Sequence, residues 1–254
     1  MAQKDISEKY LEEYPDVFAD IVNVLVLGKN YINPDNLYNG PTESIYKSEC
    51  GAGIREHRRD VSKYYIRNKK VIALFGIENQ STIDKDMAIR IMGYDYSSYR
   101  SQIDIGKNRY PVITVLLNFT DKKWNVPTSL EDIFEYSAEW SEYIPDYRIK
   151  VIDVAYLSKD TRNKLNSDFK IVADFFAERR SNKKYRPSDE EIKHEMAVLN
   201  MIRVFTRDKR YDEIKAAIKL KRKEERWYLC VHLLMKWRIE ASKRVFGRAF
   251  VKSY

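Results

Sequence analysis

Cysteine, histidine and glycine are all scarce in this chain, and each scarcity closes off a class of chemistry. Two cysteines among 254 residues, Cys50 and Cys230, stand far apart and make no metal-ligand spacing. They exclude a disulfide framework and fit a reducing cytoplasm. The three histidines, His57, His194 and His232, form no H-E-x-x-H or related pattern, and no serine nucleophile elbow is present. The eight glycines supply neither a P-loop nor a dinucleotide fingerprint. Serine hydrolases, NTPases and dehydrogenases are therefore disfavoured. Long apolar runs are missing too. Residues 21–27, broken by Asn23, and residues 71–77 are the longest, far short of a membrane span. The opening Met-Ala-Gln-Lys-Asp carries no apolar signal core, which points to the cytoplasm and to no membrane partner.

What the chain does have is apolar and aromatic mass. Hydrophobic residues make up 44% and aromatics 13%, with 19 tyrosines, enough for a sizeable core and against wholesale disorder. Lys and Arg number 46 against 38 Asp and Glu, a formal charge of +8. Residues 203–254 hold 16 basic and 6 acidic side chains, which leaves 30 against 32 in the rest. The positive surplus is therefore a property of the C-terminal fifth. Such a tail suits a polyanion through counterion release or is simply a solvated end.

The spacing of apolar residues predicts a helix over 8–27, stopped by Gly28, with a polar stripe of Glu13, Asp16, Asp20 and Asn23. Residues 28–43 are loop-rich. A hairpin follows, with strands 61–66 and 71–77 joined around Asn68. The second run is apolar throughout, as a central strand buried on both faces requires. Residues 83–103 read as a helix whose Met87, Ile91, Tyr94, Ser98 and Gln102 lie near one another. Strands follow at 110–119 and 148–157, with a capping box from Thr128 to Glu131 between them. From residue 159 the pattern is helical only, about 167–180, 188–205 and 210–240, and a soft boundary falls near 158.

The chemistry concentrates in Arg59-Asp60 and, eighteen residues on, Glu78-Asn79-Gln80. Folding the hairpin about Asn68 puts residue 60 opposite roughly 77, within one position of Glu78. The period of two places Glu78 and Gln80 on one face. Two carboxylates that close repel, and both remain charged only around a cation. Hard oxygen ligands with open positions suit Mg²⁺ or Mn²⁺. A strand-end Glu that has reached solvent, beside an Asp paired with a neighbouring Arg, would give the same spacing. Arg55, His57, Arg58 and Arg59 are placed to engage a phosphate backbone, and Arg90 to meet a phosphate or the carboxylates.

The order of elements resembles the PD-(D/E)xK nuclease superfamily, and more narrowly the recombination-promoting nuclease, or YhgA-like putative transposase, family. The residues that carry the likeness are Phe18-Ala-Asp-Ile-Val-Asn23, Arg59-Asp-Val61, Gly76-Ile-Glu-Asn-Gln80, Met87-Ala-Ile-Arg90 and Tyr94-Asp-Tyr-Ser-Ser-Tyr99, with the strands that follow. It extends over roughly residues 8–215. The resemblance implies an α/β fold: a restriction-endonuclease-like mixed sheet flanked by helices over 1–158, then an all-helical region, 159–254, ending in the basic tail. It implies a Mg²⁺- or Mn²⁺-dependent endonuclease acting on double-stranded DNA, with a homodimer favoured for double-strand cutting. Asp60, Glu78 and Gln80 would be catalytic, Asp60 and Glu78 metal-binding together with a first-helix carboxylate, for which Asp20 is the candidate ahead of Glu13 and Asp16. The Asn79 carbonyl would be a further ligand, and Arg58, Arg59 and Arg90 would meet DNA. The superfamily often has Lys where this chain has Gln80, which can orient a water but brings no charge. The tail also departs from the family's Gly- and Glu-rich extension. A shifted reading frame near Glu225 and a basic amphipathic helix both account for it.

Overall fold

The computed structural model describes residues 11–47, 54–104, 109–181 and 191–206. The expected helix over 210–240 and the basic tail lie outside them.

The single N-terminal helix expected from periodicity is broken. Pro15 has no N–H and clashes with a preceding helical turn, so it starts a new helix rather than continuing one. Helix α1 runs Pro15–Ile21 and continues as a π-helical segment, Val22–Leu27. Gly28 closes it at φ 65°, the left-handed conformation that suits glycine. Strand β1, Leu37–Asn39, follows, and then a separate antiparallel ribbon of β2, Glu43–Lys47, and β3, Ile54–Arg58. The hairpin is β4, Val61–Arg67, and β5, Lys70–Gln80. Helix α2, Met87–Asp104, leads to β6, Val112–Asn118. A short α3, Leu130–Ile133, precedes β7, Lys150–Asp153. Helices α4, Lys159–Asn163, α5, Phe169–Arg180, and α6, Glu195–Thr206, complete the described chain.

One mixed sheet orders the strands β1-β4-β5-β6-β7, antiparallel as far as β5 and parallel beyond it. The apolar run of β5 is thus central, and residues 73–79 are buried. The hairpin turn is two residues long, since Arg67 pairs with Lys70. Asn68 and Lys69 both take positive φ, 51° and 61°, the twist that matches paired strands. A bulge between Tyr65 and Ile66 shifts the register by one, so Val61 pairs with Ile77.

The main core packs α1, α5 and α6 on one sheet face against Val61, Phe75, Ile77, Val115 and Leu117. It runs across position 158 without interruption, as Phe119 against Phe169 and Phe176 illustrates. Each fully buried Phe, Ile or Leu contributes about 1.5–3 kcal/mol. On the opposite face α2 lays Met87, Ile91 and Tyr94 against Leu116 and Ile149. The α2 stripe matches the expected one, with Ser98 and Gln102 also buried. The cap of α3 falls one residue later than expected: Ser129, not Thr128, accepts the N–H of Asp132.

Candidate active site: two carboxylates across the hairpin

Val61 opposite Ile77 places Asp60, one residue before β4, opposite Glu78 near the end of β5. Each carboxylate is tied to the other's strand. Asp60 Oδ2 accepts the backbone N–H of Asn79 at 2.7 Å, and the N–H of Asp60 points to Glu78 Oε2 at 3.4 Å. Glu78 is 2% exposed, where an uncompensated carboxylate would be costly. Arg90 of α2 compensates it, with Nη2 at 3.2 Å from Oε1. Gln80 Nε2 lies 3.4 Å from the same oxygen. Glu78 and Gln80 therefore share the α2 face, as strand alternation requires.

Arg90 is fixed in turn. Its Nη1 donates to Asp84 Oδ2 at 2.9 Å and its Nη2 to the Tyr94 hydroxyl at 3.4 Å. Burial alone would lower its pKa, but the bonds to Tyr94 and Asp84 and the charge of Glu78 outweigh burial and raise it. Burial pushes the Tyr94 hydroxyl up, and Glu78 adds to this. Of the two contacts the sequence suggests for Arg90, the one with a carboxylate is present, to Glu78.

Two expected site residues are placed elsewhere. Asp20 does not join the pair: its Oδ2 accepts Asn166 N, Ser167 N and Ser167 Oγ at 2.7–2.9 Å. The carboxylate at the start of this helical region that reaches the cluster is Glu12, fully buried, whose Oε2 accepts Asn79 Nδ2 at 2.6 Å. Periodicity does not mark it: Glu12 lies four residues before Asp16, in phase with the polar stripe, and the break at residues 13–14 ahead of Pro15 separates it from that stripe. Arg59, expected at DNA, is 2% exposed and cannot touch a phosphate. Its Nη2 ion-pairs with Asp95 Oδ1 at 2.8 Å, and Asp95 also accepts Thr114 Oγ1 and Tyr147 OH, each at 2.6 Å. Burial lowers the Arg59 pKa, while Asp95 and then Glu78 oppose that shift. Gly76 makes room for it, since a Cβ there would sit 2.7 Å from Arg59 Cδ. Arg58 ends β3, but its side chain and those of Arg55 and His57 lie outside the description.

Among the described residues no group of three or more His, Cys, Asp and Glu side chains is arranged around a metal position. Asp60 and Glu78 are a two-carboxylate oxygen set. That set fits Mg²⁺ or Mn²⁺, which bind through one or two carboxylates and keep water, and does not suit the nitrogen and sulfur preferences of zinc.

The fold and site thus define an α/β protein whose mixed sheet sets two acids opposite each other at the open end of a hairpin. The family model described as "Putative transposase, YhgA-like" matches residues 54–183, from β3 through α5. The chain belongs to that family. Comparison with curated proteins and with solved structures gives no match. Among the described residues no helix is long and apolar enough to cross a membrane.

Proposed function

We propose that the chain is a Mg²⁺- or Mn²⁺-dependent endonuclease that hydrolyses phosphodiester bonds of double-stranded DNA, in the service of recombination or mobile DNA. The observation that carries this reading is the Asp60–Glu78 pair, cross-linked by the Asn79 and Asp60 N–H groups at the hairpin mouth. Asp60 and Glu78 would hold the ion, with the Asn79 carbonyl as a further oxygen. Such an ion supplies charge stabilisation at a phosphoryl oxygen and a more acidic water.

The remaining work falls to this chain's own groups. Arg90 sets a positive charge beside buried Glu78 and holds its Oε1. Asp84 and Tyr94 fix the guanidinium of Arg90. The Gln80 amide, beside Glu78, is an uncharged group able to orient an attacking water by hydrogen bonding. Asn79 ties the Asp60 carboxylate to β5 through its backbone and reaches Glu12 through its side chain.

Purified protein with supercoiled plasmid and Mg²⁺ should nick or cut it, and chelation should stop the reaction. Asp60→Asn and Glu78→Gln should each lose at least about a hundredfold in rate, the scale of a several-kcal/mol electrostatic contribution. Wild-type rates in both variants would defeat the assignment.

A second reading is a non-catalytic DNA-binding or assembly protein on the same fold. It is favoured by the uncharged Gln80 and by the engagement of Glu78 Oε1 by Arg90. It predicts salt-sensitive DNA retention with no cleavage in either metal.

A further inference from the structure

The polar stripe of α1 is not spent on the carboxylate pair. It faces a separate cavity of about 490 Å³. Asp16, Asp20 and Asn23, spaced by four and three residues, each hold a different segment of chain against the helix. Asp16 Oδ1 pairs with His194 Nε2 at 2.9 Å, beside Lys193. Asp20 holds the turn at 166–167, as described. Asn23, 7% exposed, accepts the N–H groups of Tyr31 and Ile32 at 3.0 and 2.8 Å and donates to the Ile32 carbonyl at 2.9 Å. The π-helical backbone at Val22–Leu27 widens the turn that carries Asn23, a departure that recurs at functional sites.

Each pinned segment brings one lysine to the cavity: Lys29, Lys164 and Lys193. All three are exposed. Among the described residues none of them pairs with a carboxylate, although two aspartates line the same cavity. The aspartates are occupied, Asp20 by three donors and Asp16 by His194. What the cavity offers a ligand is therefore three lysine side chains at its edge, of which Lys29 has its Nζ 5.5 Å from the Tyr31 ring centroid, above apolar surface from Ala19, Val24, Ile32 and Pro34. Its volume is that of a small-molecule site, which is characteristically apolar with a few convergent polar groups.

We propose that this cavity binds a phosphate-bearing ligand of nucleotide size, its phosphate held by Lys29, Lys164 and Lys193 and its base against the apolar surface. The same chemistry is offered by a free nucleotide or by the end of a nucleic-acid strand. The site is distinct from the Asp60–Glu78 pair and needs no divalent ion, so its failure and that of the nuclease reading separate cleanly.

The test is calorimetric titration of the full chain in EDTA with pyrophosphate, dAMP and a 5′-phosphorylated single-stranded pentanucleotide. The cavity variant is Lys29→Gln/Lys164→Gln/Lys193→Gln. Its control is Lys70→Gln/Lys122→Gln/Lys150→Gln, of equal net charge and away from the cavity, with the basic C-terminal sequence common to both. Each cavity lysine should be worth about threefold in affinity and the three together roughly thirtyfold, as for exposed charge pairs. The control should titrate as wild type, and both variants should melt as wild type, since these lysines are exposed. Loss of dAMP and pyrophosphate binding identifies a free nucleotide as the source, and loss confined to the pentanucleotide identifies a strand end. Both support the proposal. Equal titration of cavity variant and control, or no heat from any probe up to about 10 mM, overturns it.

Discussion

Arg59 offers the sharpest test of how this fold is held together beneath its site. The guanidinium is 2% exposed and pairs with Asp95, which is 6% exposed and also accepts the hydroxyls of Thr114 and Tyr147. Arg59→Met keeps a long stem but strips the charge and leaves the Asp95 carboxyl group in a buried setting with only its two hydroxyl donors. Breaking such a pair from one side costs about 3–5 kcal/mol. For a chain of this size that lowers Tm by roughly 10 °C. Removing both partners, as in Arg59→Met/Asp95→Leu, relieves the orphaned carboxylate and should recover about 1–3 kcal/mol relative to additivity. Urea unfolding of the four proteins of this cycle measures the coupling. DNA retention at several salt concentrations supplies the second readout. A phosphate-contacting arginine reduces the salt slope by about one when removed, whereas buried Arg59→Lys should leave the slope unchanged. A loss below about 1 kcal/mol in Arg59→Met, together with a shallower slope in Arg59→Lys, would show the guanidinium working at the surface and refute the argument.

Four further outcomes follow from particular contacts. Gly76→Ala should cost about 1–3 kcal/mol in urea unfolding, because its Cβ would meet Arg59 Cδ at 2.7 Å and Thr114 Oγ1 at 2.9 Å; a neutral change would mean that Arg59 packs elsewhere. Lys69→Gly should stabilise by about 0.5–1 kcal/mol, since a lysine side chain is strained at φ 61°, and a destabilised variant would contradict the turn. Glu12→Gln keeps an acceptor for Asn79 Nδ2 and should stay within about 1 kcal/mol of wild type, whereas Glu12→Ala, which leaves that amide unpaired, should lose about 1–3 kcal/mol; equal losses would count against the hydrogen bond. Burial, with the charge of Asp95 and the hydrogen bond to it, raises the Tyr147 pKa above its ordinary 10.0. The native state then holds the proton that the unfolded state releases, so this stability is full below pH 10 and is lost as pH rises beyond it, at about 1.4 kcal/mol per pH unit. Urea midpoints from pH 9.5 to 11 should fall less steeply in Tyr147→Phe, and parallel curves would exclude the linkage.

The parts of the fold legible in the sequence are those fixed by local chemistry. The β5 run, the turn at Asn68 and the α2 stripe each rest on a periodicity or a dihedral preference within a dozen residues. The hairpin then follows, and with it the meeting of Asp60 and Glu78, correct to one residue because the bulge at Tyr65 was not foreseeable from spacing. Strand β1 and the β2–β3 ribbon were invisible, being three to five residues long within a stretch rich in Gly, Pro and Asn. Two expected site residues have partners that local sequence does not announce. Arg59 is buried because Gly76, seventeen residues later, leaves it a channel, and no property of Arg59 itself announces this. Asp20 sits on a polar stripe that does face away from the main core, yet its partner is a turn nearly 150 residues distant.

Asn79 shows how the two faces of the sheet are joined at the site. It stands between Glu78 and Gln80, whose side chains point to α2, and its own side chain points the other way, to Glu12. Its backbone N–H meanwhile holds Asp60. One residue therefore binds an acid through its main chain and another through its amide, on opposite sides of β5. A chain of two hydrogen bonds thus connects the segment before Pro15 to the Asp60 carboxylate through Asn79. The same N-terminal helical region, through Asp16, Asp20 and Asn23, fixes the walls of the lysine-lined cavity. The polar residues of this short stretch are thus divided by the break before Pro15: Glu12 reaches Asn79 beside the carboxylate pair, and the stripe of Asp16, Asp20 and Asn23 that follows lines the cavity.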